Sequence, residues 1–298
     1  MSNPIARIVQ RGLRIFGLQL SRLPMAKVET TVRVGDYNLR CNEGHQLPRI
    51  LNAYPRYSIN IGRIAYYVKK QYQAFTMVDI GANIGDTVGI VRNICQCPIV
   101  CIEGDPFYFQ ILGDNMQQFN DVRAFNCFLG ERTERIRGAT ELNGGTLRIV
   151  KTCEANHIEV LSLDDFIMSH DIRGLIKLIK IDTDGYDMKI VRGGIKVIEK
   201  YKPILFFEYD RVLLADAGDN GISTIQGLKS IGYDTALFYD NYGRFLLSTS
   251  LKESRQIEQL HNYIGEKQGA FPYYDLCLIH ETDADLAASI IESEMNLQ

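Results

Sequence analysis

The stretch Asp79-Ile80-Gly81-Ala82-Asn83-Ile84-Gly85-Asp86 ends one apolar run, residues 76–80, and opens a helical pattern. Glycines at such a junction let the backbone turn sharply and let a ligand come close. The helix that follows presents unpaired N–H groups and the positive end of its dipole, which favours a bound carboxylate or phosphate. A second apolar run ends in Glu103, 24 residues after Asp79. A carboxylate there accepts hydrogen bonds from ribose hydroxyls. The segment Lys180-Ile181-Asp182-Thr183-Asp184-Gly185-Tyr186-Asp187 ends another such run, and Glu208 ends the next, in Leu205-Phe206-Phe207-Glu208. In open α/β sheets ligands sit beyond the carboxyl ends of the strands, where the strand order reverses. Acids at several strand ends therefore converge on one edge.

The turn departs from the dinucleotide fingerprint G-x-G-x-x-G, because Asn83 stands where its second glycine belongs. Asp79, two residues before Gly81, would face a pyrophosphate unfavourably and would suit the ammonium of a methionine moiety. Glu103 alone discriminates nothing, since dinucleotide enzymes share such an acid. Together, Asp79, Asn83, Gly85 and Glu103 favour S-adenosyl-L-methionine over NAD. The expected cofactor contacts are Asp79, Gly81, Ala82, Asn83, Gly85, Asp86, Thr87, Glu103, Gly104 and Asp182. Residues 180–187 resemble the start of a calcium loop, but no bidentate Glu follows at the required place. Paired acids at the cofactor edge suit catalysis or metal binding better; the plain structural role is helix capping by Asp182 or Asp184.

The elements that must position these residues follow from periodicity. From residue 76 the pattern runs strand, helix, strand, repeatedly. Strand-like runs cover 76–80, 99–103, 122–128, 176–182, 204–209, 233–239 and 274–280; helical segments cover 86–94, 106–119, 186–201 and 223–231. This predicts an α/β, Rossmann-like fold: seven strands, mostly parallel, with helices on both faces, as in the class I methyltransferase variant. Residues 130–160, with Gly144-Gly145 and an alternating run after it, read as a hairpin insertion. Residues 281–298 read as a final acidic helix. The methyltransferase-type domain would thus span 76–298.

Ahead of it, residues 28–75 read as an N-terminal cap, with a hairpin around Gly35-Asp36 and a tyrosine-rich helix over 59–73. On that helix and its approach Tyr57, Asn60, Arg63 and Tyr67 form a polar-aromatic stripe, suited either to packing on the sheet or to recognising an acceptor. Residues 1–27 carry a basic amphipathic helix over 3–23. Ile5, Ile8, Val9, Phe16, Leu20 and Leu23 share one face, and Arg7, Arg11, Arg14 and Arg22 another. Such a helix either lies on an anionic membrane surface or packs on the domain with its arginines solvated.

Bulk properties narrow the class. The 298 residues, 46% apolar and 23% charged, suffice for a real core. A formal net charge of −3 gives no pull toward nucleic acid. No apolar run reaches the ~18 residues needed to span a bilayer, and no secretory leader pattern is visible. Seven cysteines, including Cys95-Gln96-Cys97, show no second pair at zinc spacing and read as free thiols of a reducing cytoplasm. The expected location is cytoplasmic, with peripheral contact on the inner face of the membrane if residues 3–23 bind lipid. Nothing in the pattern specifies an oligomeric state.

Residues 77–210 resemble the FkbM family of methyltransferases. The resemblance rests on the D-x-G-A-N-x-G turn at Asp79–Gly85, the acid Glu103, and Ile181-Asp182-Thr183-Asp184-Gly185 for the family's I-D-x-E-G, with Leu163-Asp164-Asp165 and Glu208 at recurring positions. Asp184 replaces the usual Glu with a shorter acid. The resemblance implies a class I fold and O-methylation, often of sugar hydroxyls in bacterial glycans or glycolipids, sometimes of natural products. A sugar hydroxyl is a weak nucleophile and needs a base or a metal. Asp182 and Glu208 are the candidates for base or metal ligand, and a hard cation such as Mg²⁺ would suit their oxygens. His45 lies in the cap, where it could reach an acceptor; His157, His170, His261 and His280 are weaker candidates. The alternatives are an NAD-dependent oxidoreductase and a binding module without catalysis. The missing glycine argues against the first, and the strand-end acids against the second.

Overall fold

The computed structural model describes residues 29–143, 146–151, 157–266 and 271–297. The expected basic helix over 3–23 lies outside these residues, as does Cys153. In chain order the strands are β1 Glu29–Val34, β2 Tyr37–Asn42, β3 Thr76–Ile80, β4 Ile99–Glu103, β5 Val122–Asn126, β6 Phe128–Gly130 and β7 Glu134–Asn143. Then come β8 Thr146–Lys151, β9 His157–Ser162, β10 Ile176–Ile181, β11 Ile204–Tyr209, β12 Tyr233–Asp240, β13 Phe245–Ser250 and β14 Tyr274–His280.

A central sheet has the order β13-β12-β14-β11-β10-β3-β4-β5. From β11 to β5 every neighbouring pair is parallel, while β14 runs antiparallel between β11 and β12. Every residue of β3, β4 and β10 is buried, because helices cover both faces. Alternation along the strands sends side chains to two cores. Met77, Ile99, Cys101, Leu178 and Phe206 join the core that also takes residues of helices Ile59–Tyr72, Asp86–Arg92, Pro106–Met116 and Ala284–Met295. Val78, Val100, Ile102, Ile179, Ile181 and Phe207 join the opposite one, with helices Leu163–Ser169, Asp187–Gly193, Ile195–Tyr201 and Ile222–Ser230. Among the described cysteines, Cys41, Cys95, Cys97, Cys101 and Cys277 are buried free thiols and Cys127 is half-buried.

Three expectations need correction. The sheet has eight strands rather than seven, because β13 pairs antiparallel with β12 between the runs expected over 233–239 and 274–280. The insertion is more than a hairpin: β7 and β8 do form one, but β9 joins it to β6 in a four-stranded sheet ordered β6-β9-β7-β8. The helix expected over 186–201 is two helices, broken at Gly193 and Gly194. Two contacts explain that break. A Cβ on Gly193 would lie 2.2 Å from the Gly130 carbonyl oxygen, and one on Gly194 2.6 Å from the Leu163 side chain. Asp164, expected from sequence to recur in the family, caps the second helix, accepting from the Val197 and Lys196 N–H groups at 2.9 and 3.2 Å.

The strand order reverses between β3 and β10, so the Gly81 turn and the 182–187 segment leave the sheet side by side. Gly193 is where the smaller sheet docks on the domain. Gly193→Ala is expected to destabilise the protein by about 1–3 kcal/mol through overpacking. Chemical unfolding should show a lowered midpoint with an unchanged slope.

Candidate active site

Gly81 has φ +77°, and a Cβ there would stand 1.9 Å from the Asp182 carbonyl oxygen. Only glycine lets the ends of β3 and β10 meet this closely. The Gly81 and Ala82 N–H groups both donate to the Ile102 carbonyl, at 2.9 and 3.1 Å, which ties the turn to β4. Asn83 follows in the left-handed region at φ +48°. Glu103, at the end of β4, accepts the Asn83 N–H and the Asp105 N–H, each at 2.8 Å. Burial pushes its carboxyl up to about 7 even against those two bonds.

These residues wall a cleft with an empty volume of about 740 Å³, its open mouth included. Of the expected cofactor residues, Gly81, Asn83, Glu103, Gly104 and Asp182 are on its wall. Asp79, Ala82, Gly85, Asp86 and Thr87 are not on that wall. Tyr108, Cys127, Phe128, Thr183, Asp184 and Tyr186 also line it and were not anticipated as cleft residues. Asp184 and Tyr186 were visible in the acidic segment. Tyr108 and Phe128 gave no signal beyond apolar patterning, although Gly104 is the position Phe128 requires: a Cβ there would sit 2.4 Å from the Phe128 ring.

Behind the turn, Asp79 is fully buried, and neither oxygen accepts a hydrogen bond. Its partner is the Lys180 ammonium, 3.4 Å from Oδ1, which also stands 3.1 Å from Asp182 Oδ2. Burial, only partly opposed by Lys180, pushes Asp79 up to about 6. Burial works against the charge on Lys180, but Asp182, Asp79 and Asp86 together hold its pKa well above the usual range. The ammonium thus stands between the Asp79 and Asp182 carboxylates. Among the described residues no group of three or more His, Cys, Asp or Glu is arranged to hold a metal ion. Asp182 and Glu208 thus belong to no such group, and the expected Mg²⁺ has no support there.

A second polar group gathers beyond Asp182. Glu208 lies opposite Asp275 in the β11–β14 register. Burial, reinforced by Asp182, Asp187, Asp184 and Asp275, raises the Glu208 carboxyl far above its ordinary range. Burial and Asp182 push Asp275 up to about 8. The Tyr57 and Tyr273 phenols are raised by burial and by the same acids. Asp187, pushed by burial to about 8, braces the acidic loop by accepting from the Gly185 N–H at 3.1 Å and the Thr183 hydroxyl at 3.3 Å. The sequence signal for Asp275 was present but unused: one acid in an otherwise apolar strand.

The stripe on the 59–72 helix divides. Tyr57 and Asn60, the latter fully buried, face these acids. Arg63 instead grips Glu294, with Nε 2.7 Å from Oε1, and Tyr67 packs on the core. The histidines divide too. His45 Nε2 stands 3.0 Å from Asn83 Oδ1, in the turn after β3. His157 is exposed at the start of β9, and His170 stacks on Phe166. His261 bonds the Tyr209 hydroxyl at 2.7 Å, and the His280 side chain accepts the Thr282 N–H.

The raised carboxyls have a consequence for stability. Each contributes stability that is full below the ordinary carboxylate range, about 4, and lost as pH rises through its folded value. For Asp79, Glu103, Asp187 and Asp275 those values run from about 6 to about 8. The melting temperature of the ligand-free protein is therefore expected to fall as pH rises from about 4 to about 8, and Asp275→Asn should make that fall shallower. Thermal melts across this range check both.

The family model described as methyltransferase FkbM domain matches residues 79–234. Among solved structures, a methyltransferase FkbM from Methylobacillus flagellatus KT is 19% identical with a TM-score of 0.40, over 59% of this chain and 43% of that one. This chain therefore spans less than half of that protein. A putative O-methyltransferase from Klebsiella pneumoniae is 12% identical with a TM-score of 0.41, over 78% and 89%. A tRNA (uracil-54, C5)-methyltransferase from Pyrococcus abyssi, in complex with S-adenosyl-L-homocysteine, is 10% identical with a TM-score of 0.41, over 85% and 44%. No curated protein matches the chain. With the matched segment running from Asp79 through β10, β11 and the acids that meet at Lys180, and covering more than half of the 298 residues, this chain belongs to the FkbM methyltransferase family.

Proposed function

We propose that this chain is an S-adenosylmethionine-dependent O-methyltransferase whose acceptor is a sugar hydroxyl of a bacterial glycan or glycolipid. One observation carries the reading. Asp182 lies on the wall of the cleft and is also the acid that polarises the group formed by Glu208, Asp275, Tyr57 and Tyr273. A cofactor in the cleft and a hydroxyl among those side chains would meet at this carboxylate.

The residues present fit the cofactor. Glu103 keeps free lone pairs beyond its two backbone bonds and can accept from ribose hydroxyls. Tyr108 and Phe128 offer ring surfaces to a base. The acid excess around a single ammonium suits a ligand bearing an ammonium and a sulfonium and disfavours a pyrophosphate. When bound, the cofactor supplies an electrophilic methyl group. The chain's part is to hold the hydroxyl in line and take its proton. Asp182, paired with Lys180 and 43% exposed in its side chain, is the carboxylate for that proton. Burial and neighbouring acids raise the Glu208 carboxyl and so favour its protonated form, in which it can donate a hydrogen bond that orients the acceptor.

Two measurements test this. S-adenosylhomocysteine should bind and NAD should not; the reverse result refutes the cofactor. With methyl-labelled S-adenosylmethionine and a panel of glycans, Asp182→Asn and Glu208→Gln should each lower transfer about a hundredfold or more. Full transfer by both variants with intact cofactor binding refutes the assignment.

If the acceptor is lipid-linked, the basic face expected over residues 3–23 would bring the enzyme to an anionic surface. No described helix is long and apolar enough to cross a membrane. Full-length protein should then co-sediment with anionic vesicles and lose this on deletion of residues 1–23. Indifference of the full-length protein to such vesicles refutes membrane contact.

A further inference from the structure

The family match begins at Asp79, yet the β1–β2 hairpin and the loop after it reach the cofactor turn from outside that segment. Three side chains fasten them. Asn93, just past the helix that leaves the turn, accepts the Asp36 N–H at 2.9 Å and donates to the Val34 carbonyl at 3.2 Å. Asn115, on the 106–116 helix, accepts the Arg40 N–H at 2.7 Å and donates to the Arg40 carbonyl at 2.9 Å. Its amide also donates to the Ile84 carbonyl, inside the turn, at 2.8 Å. The third is His45, 3.0 Å from Asn83.

Hydrogen-bond logic settles the His45 tautomer. The Leu47 N–H donates to His45 Nδ1 at 3.2 Å, so Nδ1 carries no proton. In a neutral imidazole the proton is then on Nε2, which donates to Asn83 Oδ1. Both ring nitrogens are committed, and neither has a lone pair left for an acceptor's proton. A relay of hydrogen bonds continues from there: the Asn83 N–H donates to Glu103, which also accepts the Asp105 N–H. The His45 ring meets Tyr108 edge-on, with centroids 6.0 Å apart, and Tyr108 is itself on the cleft wall.

The geometry points to His45 as a positioning residue for the cofactor rather than a base: through Asn83 it clamps the binding turn and sets the carboxylate that receives the ribose. Asn83 is the residue this acts on, because it holds a left-handed conformation that non-glycine residues adopt at a cost. A bond to its side chain offsets that cost and stops the turn from relaxing. The hairpin region is therefore part of the cofactor site, although it lies outside the matched family segment. This inference rests on the cofactor reading above.

The test is S-adenosylhomocysteine affinity by titration calorimetry on the full chain, with the unfolding midpoint of each variant measured alongside. His45→Ala should weaken binding about tenfold, the worth of one well-placed hydrogen bond, with little change in the midpoint. His45→Gln, which keeps an N–H of similar reach, should recover most of the loss. Asn83→Gly keeps the left-handed turn but removes the acceptor; combined with His45→Ala it should cost no more than either change alone. Wild-type affinity in His45→Ala, or fully additive losses in the double variant, overturns the inference while leaving the cofactor reading intact. A wild-type protein that ignores S-adenosylhomocysteine overturns both.

Discussion

Everything at the strand-end edge depends on one ammonium. Lys180 lies beside Asp79 in the β3–β10 register and carries its charge between the Asp79 and Asp182 carboxylates. Without that cation, a fully buried Asp79 would have no counter-charge in contact, and an uncompensated buried charge costs several kcal/mol. The two strands also meet so tightly at Gly81 that no side chain fits between them. A small turn residue and a long cationic one are thus two parts of a single joint. The joint places the cleft wall and the acids beyond it within one carboxylate of each other.

Environment then divides the acids by role. Glu103 and Asp187 spend oxygens on backbone N–H groups and hold loops in shape. Asp79 is sealed behind the turn against Lys180. Glu208 and Asp275 face each other across antiparallel strands, where burial, reinforced by the Asp182 charge, favours their protonated forms. Asp182, still reached by solvent, lines the cleft and carries the charge that raises Glu208 and Asp275. Identical side chains in the sequence thus acquire different acidities and partners because desolvation and neighbours differ over a few ångströms.

The N-terminal region shows the same dependence on context. The hairpin and the helix after it read in sequence as a cap ahead of the domain. In the fold they are held to the domain by Asn93, Asn115, His45 and the Arg63–Glu294 pair, each joining residues far apart in the chain. Half of the polar stripe on that helix serves packing and half faces the acids, a division that helical periodicity cannot make because both halves share one face.

Local pattern determined much. Apolar runs that end in acids revealed β3, β4, β10 and β11, since strands covered on both faces leave polar residues only at their tips. The Gly81 turn announced itself because sharp backbone geometry restricts residue type. The same local logic missed β9, β13 and the break at Gly193, whose causes are contacts with distant segments: β9 with β6 and β7, β13 with β12, and Gly193 with Gly130. Tertiary structure alone decided which acids face the cleft, that the Lys180 ammonium stands between Asp79 and Asp182, and that His45 points at Asn83. Those outcomes turn on distances of about 3 Å between residues tens to hundreds of positions apart, and spacing along the chain carries no record of them.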